Sequence, residues 1–229
     1  MTAPRLAALA GLLADDTRAA FCLALLDGRA WTAGELARHA GVAPATATEH
    51  LHKLVGGGLL TEHRQGRHRY VQLAGPTAAH LIEDLAAHAD PGPAPPRTLR
   101  AASAGQALAR GRTCYDHLAG TLGVTITDAL SGGGLLTRDT GFALTATGLS
   151  WLREQLGAEL TADSRRPVAR GCLDWTERRE HLAGQAGAAI CTTLLARGWL
   201  RRIGSGRAIR VTPAGSAALT SLFGPSSAW

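Results

Sequence analysis

The stretch TAGELARHAGVAPATATEHLHKLVGGG, Thr32–Gly58, decides how this chain is read. Thr32 followed three residues later by Glu35 is a capping box, which satisfies free N–H groups at the start of a helix. Leu36 and Ala37 give that helix an inward face, and Gly41 supplies the tight turn that ends it. Pro44 suits the first turn of a second helix, and the run Gly56–Gly58 closes it. The spacing therefore predicts two short helices joined at a glycine. Immediately downstream, LLTEHRQGRHRYVQL (Leu59–Leu73) predicts two strands around Gln65-Gly66, a hairpin with a basic tip.

Two helices, a tight turn and a hairpin make a winged helix-turn-helix. Upstream, DDTRAAFCLALLDG predicts a helix that stops at Gly28. In RLAALAGLLADD, Leu6, Leu9, Leu12 and Leu13 share one helical face. That short apolar run meets Asp15-Asp16 rather than a small-residue cleavage site, so an amphipathic helix is expected and not a signal peptide. A last helix is expected at PTAAHLIEDLAAH. After it, HADPGPAPPRT (His88–Thr98) holds four of the ten prolines and is read as an interdomain linker, with its core at residues 91–97.

The first part of the chain resembles the ArsR/SmtB family of bacterial repressors. The residues that carry the likeness are Asp16-Thr17-Arg18, Leu25-Leu26, Gly34-Glu35-Leu36-Ala37, Gly41-Val42, Thr46, His50-Leu51, Leu54, Gly58-Leu59-Leu60 and Gly66-Arg67, over about residues 4–88. The resemblance implies a homodimer paired through the first helix and PTAAHLIEDLAAH, with a recognition helix in each of two successive major grooves of double-stranded DNA. Thr46, Thr48, Glu49, His52 and Lys53 are the expected contacts from that helix. Glu can accept from cytosine N4. Arg64, Arg67, His68 and Arg69 suit phosphate or minor-groove contacts at the wing. Ala43, Pro44 and Ala45 stand where the family often carries Ser or Gln, so base contacts are few and affinity leans on the wing.

The family's cysteine-based metal site has no counterpart, because GELARHAGV contains no cysteine. His80, Asp84 and His88 fall on one helical face but not at the family's usual spacing, and are read as a solvated stripe. No cofactor and no metal set is expected.

The second half is built differently. Residues 1–90 carry 8 Lys+Arg against 9 Asp+Glu, and the remainder 16 against 9, so the overall charge of +6 lies downstream of the DNA-reading pattern. RTCYDHLAG (Arg112–Gly120) returns as Arg170, Cys172 and Asp174, then EHLAG (Glu180–Gly184). Leu135 follows Gly123 by twelve residues and Trp199 follows Gly187 by twelve. FALTATG and IRVTPAG each predict a strand before a new helix. LAGTLGV (Leu118–Val124) also echoes LARHAGV (Leu36–Val42). Two further winged-helix-like modules are therefore expected, at 98–160 and 165–229. Each lacks about six residues, more than one helical turn, where a reading helix would extend. They are read as effector or assembly modules, and the fold class as mainly α with small β-hairpins.

Within the doubled signature, Asp116 is expected to cap a helix beginning at His117, and Asp174 to open a capping box with Glu177. Arg112, Cys114, Asp116, His117, Arg170, Cys172, Asp174 and His181 are the effector candidates. Buried packing, a pocket for a small organic ligand, and redox or metal sensing all remain open for the two thiols. Four scattered cysteines without a CxxC pair fit reduced thiols in a cytoplasm, and no apolar run reaches the length of a membrane span.

A transcriptional regulator is the expected function. An architectural DNA binder is the alternative, with RGWLRRIGSGRAIR adding a second basic hairpin. An enzyme of the organomercurial-lyase kind is another, although no catalytic core pattern accompanies the paired cysteines. No P-loop, Gly-x-Gly-x-x-Gly, His-Glu-x-x-His or Gly-x-Ser-x-Gly occurs, and no enzymatic activity is expected.

Overall fold

The computed structural model describes residues 2–66, 68–89, 99–139, 141–161 and 166–229. The expected linker core at 91–97 and Arg67 lie outside them. The chain divides into two units, Met1–Glu83 and Asp84–Trp229, and is mainly α-helical with small antiparallel hairpins.

The first unit opens with α1 (Ala3–Leu13) and α2 (Asp16–Leu25). Asp15 caps α2, its carboxylate accepting from Arg18 N at 2.9 Å. Arg18 turns back and donates to the Leu12 and Gly11 carbonyls, a cation placed where the helix dipole of α1 is negative. Next come β1 (Trp31–Thr32), α3 (Ala33–Ala40) and α4 (Pro44–Gly56). The Thr32–Glu35 capping box forms as expected, and Gly41 ends α3 at φ 69°. Strands β2 (Leu60–Gln65) and β3 (His68–Leu73) pair with Arg64 opposite Arg69 and Gln65 opposite His68. Strand β1 joins the other edge of β3, giving the order β1-β3-β2. Phe21, Leu25, Leu36, Leu51, Leu54 and Val71 form the core beneath α3 and α4. Each fully buried apolar side chain contributes about 1.5–3 kcal/mol. Helix α5 (Pro76–His88) follows the wing.

In the second unit, α6 (Leu99–Arg110) precedes a hairpin, β4 (Arg112–Cys114) with β5 (His117–Ala119). Helix α7 (Gly120–Gly132), the hairpin β6 (Leu136–Thr137) with β7 (Ala143–Leu144), and α8 (Ala146–Leu156) come next. The same order then recurs: β8 (Arg170–Leu173) with β9 (Glu180–Ala183), α9 (Gly184–Ala196), β10 (Leu200–Arg202) with β11 (Ile209–Val211), and α10 (Pro213–Phe223). One hydrophobic core serves both passes, joining Leu118, Leu122 and Ile126 to Leu182, Ile190 and Leu194.

Two glycines set how closely α7 and α9 sit on the hairpins before them, and Gly187 also how closely the two passes meet. A Cβ on Gly123 would stand 2.4 Å from the Leu118 carbonyl oxygen, and one on Gly187 would stand 2.3 Å from that of Leu182 and 3.1 Å from His117 Cβ. No side chain fits either gap. Thr127 fastens the same seam, its buried hydroxyl donating to Gly123 O and accepting from Leu182 N.

Three local expectations differ. His117 opens a strand and not a helix, because Cys114 and His117 pair across a hairpin turn. LAGTLGV accordingly spans β5 and the start of α7, whereas LARHAGV lies in α3 and its turn, so the two likenesses of sequence have different structures. The Asp174 carboxylate does accept from Thr176 N and Glu177 N, at 2.9 and 3.1 Å, but the chain then turns back into β9 instead of continuing as a helix.

Candidate functional site

The outer face of the helix-turn-helix is built by α4 and the β2–β3 wing. Ala47, Leu51 and Leu54 recur at helical spacing and bury one face of α4. The same period leaves Glu49, His52 and Lys53 exposed, with Thr46 and Thr48 half-buried. The Thr48 hydroxyl donates to the Pro44 carbonyl at 2.9 Å, so its hydrogen is already used within the helix. Arg64 and His68 are exposed on the wing. Arg69 does something the sequence did not suggest. Its guanidinium pairs with Glu62 and lies 3.0 Å from His52 Nε2. It therefore ties the wing to α4, and among the described wing residues Arg64 is the arginine left exposed. His50 turns the other way, with Nδ1 3.5 Å from both Asp15 and Arg18.

The second candidate set lies in the other unit, where the β4–β5 and β8–β9 hairpins meet. Cys114 is the cross-strand partner of His117, and Cys172 of His181. All four side chains are buried, at 2%, 0%, 6% and 1% exposure. The sulfurs of Cys114 and Cys172 are 3.9 Å apart, and the four ligand-type atoms all lie within 4.8 Å of one another. The imidazoles tilt against each other with centroids 5.1 Å apart. Each has a carboxylate at Nδ1: Asp116 at 3.3 Å from His117, and Asp174 at 3.2 Å from His181. Neither ring nitrogen of His181 makes a hydrogen bond among the described residues, the Asp174 contact being one of proximity.

The charged members of the doubled signature are mostly consumed by structure. Arg112 and Asp174, 1% and 0% exposed, pair at 3.1 Å across the two passes. Asp174 also accepts from Gly120 N at 2.7 Å. Arg112 donates to Leu108 O and Thr176 Oγ1 and lies over the Trp175 ring. Asp116 is gripped by Arg166 at 2.5 and 2.8 Å, a partner no local pattern pointed to. Arg170 is exposed, outside the cluster. Of the expected effector residues, the structure brings together Cys114, His117, Cys172 and His181, braced by Asp116, Asp174 and Arg112.

The electrostatics separate these thiols from the other two. Burial pushes Cys22 up to about 11 and Cys191 up to about 12, as for inert core cysteines. Cys172 moves down, foremost through the Cys114 sulfur and, against its burial, through both imidazoles. For His181, burial opposes the charged form, but the Asp174 carboxylate and Cys172 outweigh it and raise its affinity for a proton. Asp174 is itself held well below the usual carboxylate range, since His181 and Arg112 overcome its burial. His80, Asp84 and His88 do not come together as a ligand group among the described residues; His88 Nδ1 lies 2.7 Å from the Asp84 carbonyl.

Comparison with known proteins places these features. A family profile described as a helix-turn-helix domain matches residues 13–63, which covers α2 to the middle of the wing. The uncharacterized HTH-type transcriptional regulator YdfF of Bacillus subtilis (strain 168) is 40% identical over 217 residues, spanning 94% of this chain and 95% of the relative. Two solved structures are similar over part of the chain. Mb0332 of Mycobacterium bovis, a homodimeric winged helix-turn-helix domain, is 29% identical, covers 34% of this chain and 72% of that one, and has a TM-score of 0.32. NolR of Sinorhizobium fredii is 20% identical, covers 37% and 83%, and has a TM-score of 0.34. No helix of the described residues is long and apolar enough to cross a membrane. With its capped helix-turn-helix, its basic wing and a relative matched along nearly its whole length, the chain belongs to the helix-turn-helix transcriptional regulators, and its first unit has the winged-helix arrangement.

Proposed function

We propose that the protein is a homodimeric repressor of the cytoplasm, with α4 of each protomer in a major groove and the wings on the flanking backbone. The observation that carries this reading is the exposure of Glu49, His52 and Lys53 on α4 and of Arg64 on the wing, two elements joined by the Arg69–His52 contact. Support for pairing comes from α1, an apolar helix with no buried residue, on which Leu6 is 53% exposed. Leu85 on α5, 50% exposed, fits the same role. The second unit takes the part of an effector region, built as two winged-helix-like modules in which α7 and α9 match the thirteen residues of α4, and a hairpin, not a helix and tight turn, precedes each: the expected shortening falls on the helix-turn and not on the reading helix. Coupling to the operator then works through a change in the spacing of the two α4 helices, worth about 1–3 kcal/mol in DNA affinity.

One observation favours a second reading, an architectural grip by the last hairpin. Arg201 and Arg210 stand directly opposite each other on β10 and β11, both exposed. Like charges in that arrangement are unfavourable unless an anion lies between them. The first unit has its own core, so residues 1–90 are expected to bind duplex DNA alone, in a fluorescence anisotropy titration, with a salt slope matching that of the full chain. Binding by the full chain only would move the DNA site to include β10–β11 and favour the architectural reading.

A further inference from the structure

We propose that Cys114, His117, Cys172 and His181 form a closed tetrahedral site for one divalent cation of the zinc class, held between the two hairpins of the second unit. This site is separate from the DNA-reading surface and does not depend on the operator-binding proposal.

The geometry fits the ion. A zinc–sulfur bond of about 2.3 Å in a tetrahedron sets the two sulfurs about 3.8 Å apart. The sulfurs of Cys114 and Cys172 are at 3.9 Å, far from the roughly 2.05 Å of a disulfide. The four ligand-type atoms all lie within 4.8 Å of one another, so closing on the ion needs only small side-chain shifts. Cross-strand pairing explains how: each hairpin offers one cysteine and one histidine from neighbouring strands, and Gly187 lets α9 pack against His117.

The surroundings fit as well. A histidine ligand usually donates its other ring N–H to a carboxylate, which fixes the ring and its tautomer. Asp116 accepts at Nδ1 of His117, and Asp174 stands 3.2 Å from Nδ1 of His181, close enough to take its N–H once the ring is fixed; neither nitrogen of His181 has a hydrogen-bond partner among the described residues, so Nε2 is open to an ion. Two thiolates and one divalent cation sum to no net charge, which suits a site excluded from water. Both cysteines would give up their protons to solvent on binding. The composition agrees: residues 91–229 contain two histidines, and both are in this cluster. With no exposed position left for water or substrate, the site is of the closed kind that stabilises or senses, and not the open kind that catalyses.

The test uses the full chain, reduced, stripped with a chelator and titrated with Co(II) as the probe. One equivalent should bind and give the intense visible bands of tetrahedral cobalt with a near-ultraviolet thiolate-to-cobalt band. Zn(II) should then abolish the spectrum. Cys172→Ser should cut the charge-transfer band to half or less, while Cys191→Ser should leave it unchanged. Asp116→Asn changes only a partly exposed bracing carboxylate, so it guards against a failure to fold, and it should weaken zinc binding about 10–100-fold. No uptake by the reduced wild-type chain, a pale octahedral spectrum, or an unchanged spectrum in Cys172→Ser would overturn the site. Because the readout contains no DNA, a chain that bound no operator would leave the result standing.

Discussion

Replacing Arg112 by Met is expected to lower the stability of the second unit by about 3–5 kcal/mol, the cost of leaving one member of a buried ion pair without its partner. Arg112 is 1% exposed and Asp174 is fully buried, so neither can turn to water when the other is lost. Asp174 would keep its hydrogen bonds from Gly120 N and the Thr176 hydroxyl but lose the guanidinium at 3.1 Å. The change also removes the stacking on Trp175 and the bond to Leu108 O that anchors α6. Urea denaturation followed by tryptophan fluorescence reads the effect. Trp151, Trp175, Trp199 and Trp229 all belong to this unit, and Trp31 alone reports the other. Adding Asp174→Leu should recover part of the loss, because an apolar pair no longer strands a charge. A fall of less than about 1 kcal/mol for Arg112→Met would show that the pair is not the brace described above.

The second large effect concerns the wing. Arg64→Ala with Arg67→Ala is expected to remove two phosphate contacts per protomer. With a slope of about 0.9 per contact, the salt dependence of the dimer should become shallower by about 3.6. Referred to 1 M salt, the same relation gives roughly a 10³-fold loss of affinity at physiological ionic strength, on every DNA sequence alike. Arg69→Ala should behave differently. It frees His52 and Glu62 and so alters which sequences are preferred more than how steeply binding depends on salt. An unchanged slope in the double variant would remove the wing from the interface.

The contrast between the two units shows what was legible in the residues. The first unit is governed by short-range chemistry: Thr32 and Glu35 are three residues apart, Pro44 opens its own helix, and Gln65-Gly66 turns its own hairpin. Such signals are complete within a few residues, and the helix-turn-helix followed directly from them. The role of Arg69 was not legible, because its partners lie seven and seventeen residues away on other elements.

In the second unit the decisive contacts are long-range. Cys114 meets Cys172 and Arg112 meets Asp174 across the two passes of the repeat. The repeated letters marked the right cysteines but suggested equal roles for Arg112 and Arg170. The structure separates them, because α6 lies against Arg112 and offers it the Leu108 carbonyl, whereas the described residues between α8 and β8 form no helix and Arg170 stays exposed. His117 was misplaced for a related reason. Asp before His is a good helix start in isolation, but the pairing of Cys114 with His117 places both residues in strands.

The central claim, a dimeric regulator that reads DNA through α4 and the wing, is tested most directly by selecting bound duplexes from a random library with the full chain. The account predicts enrichment of a palindrome whose half-sites are centred about one helical turn, 10–10.5 base pairs, apart. Recovery of sequences no different from the starting library would contradict it.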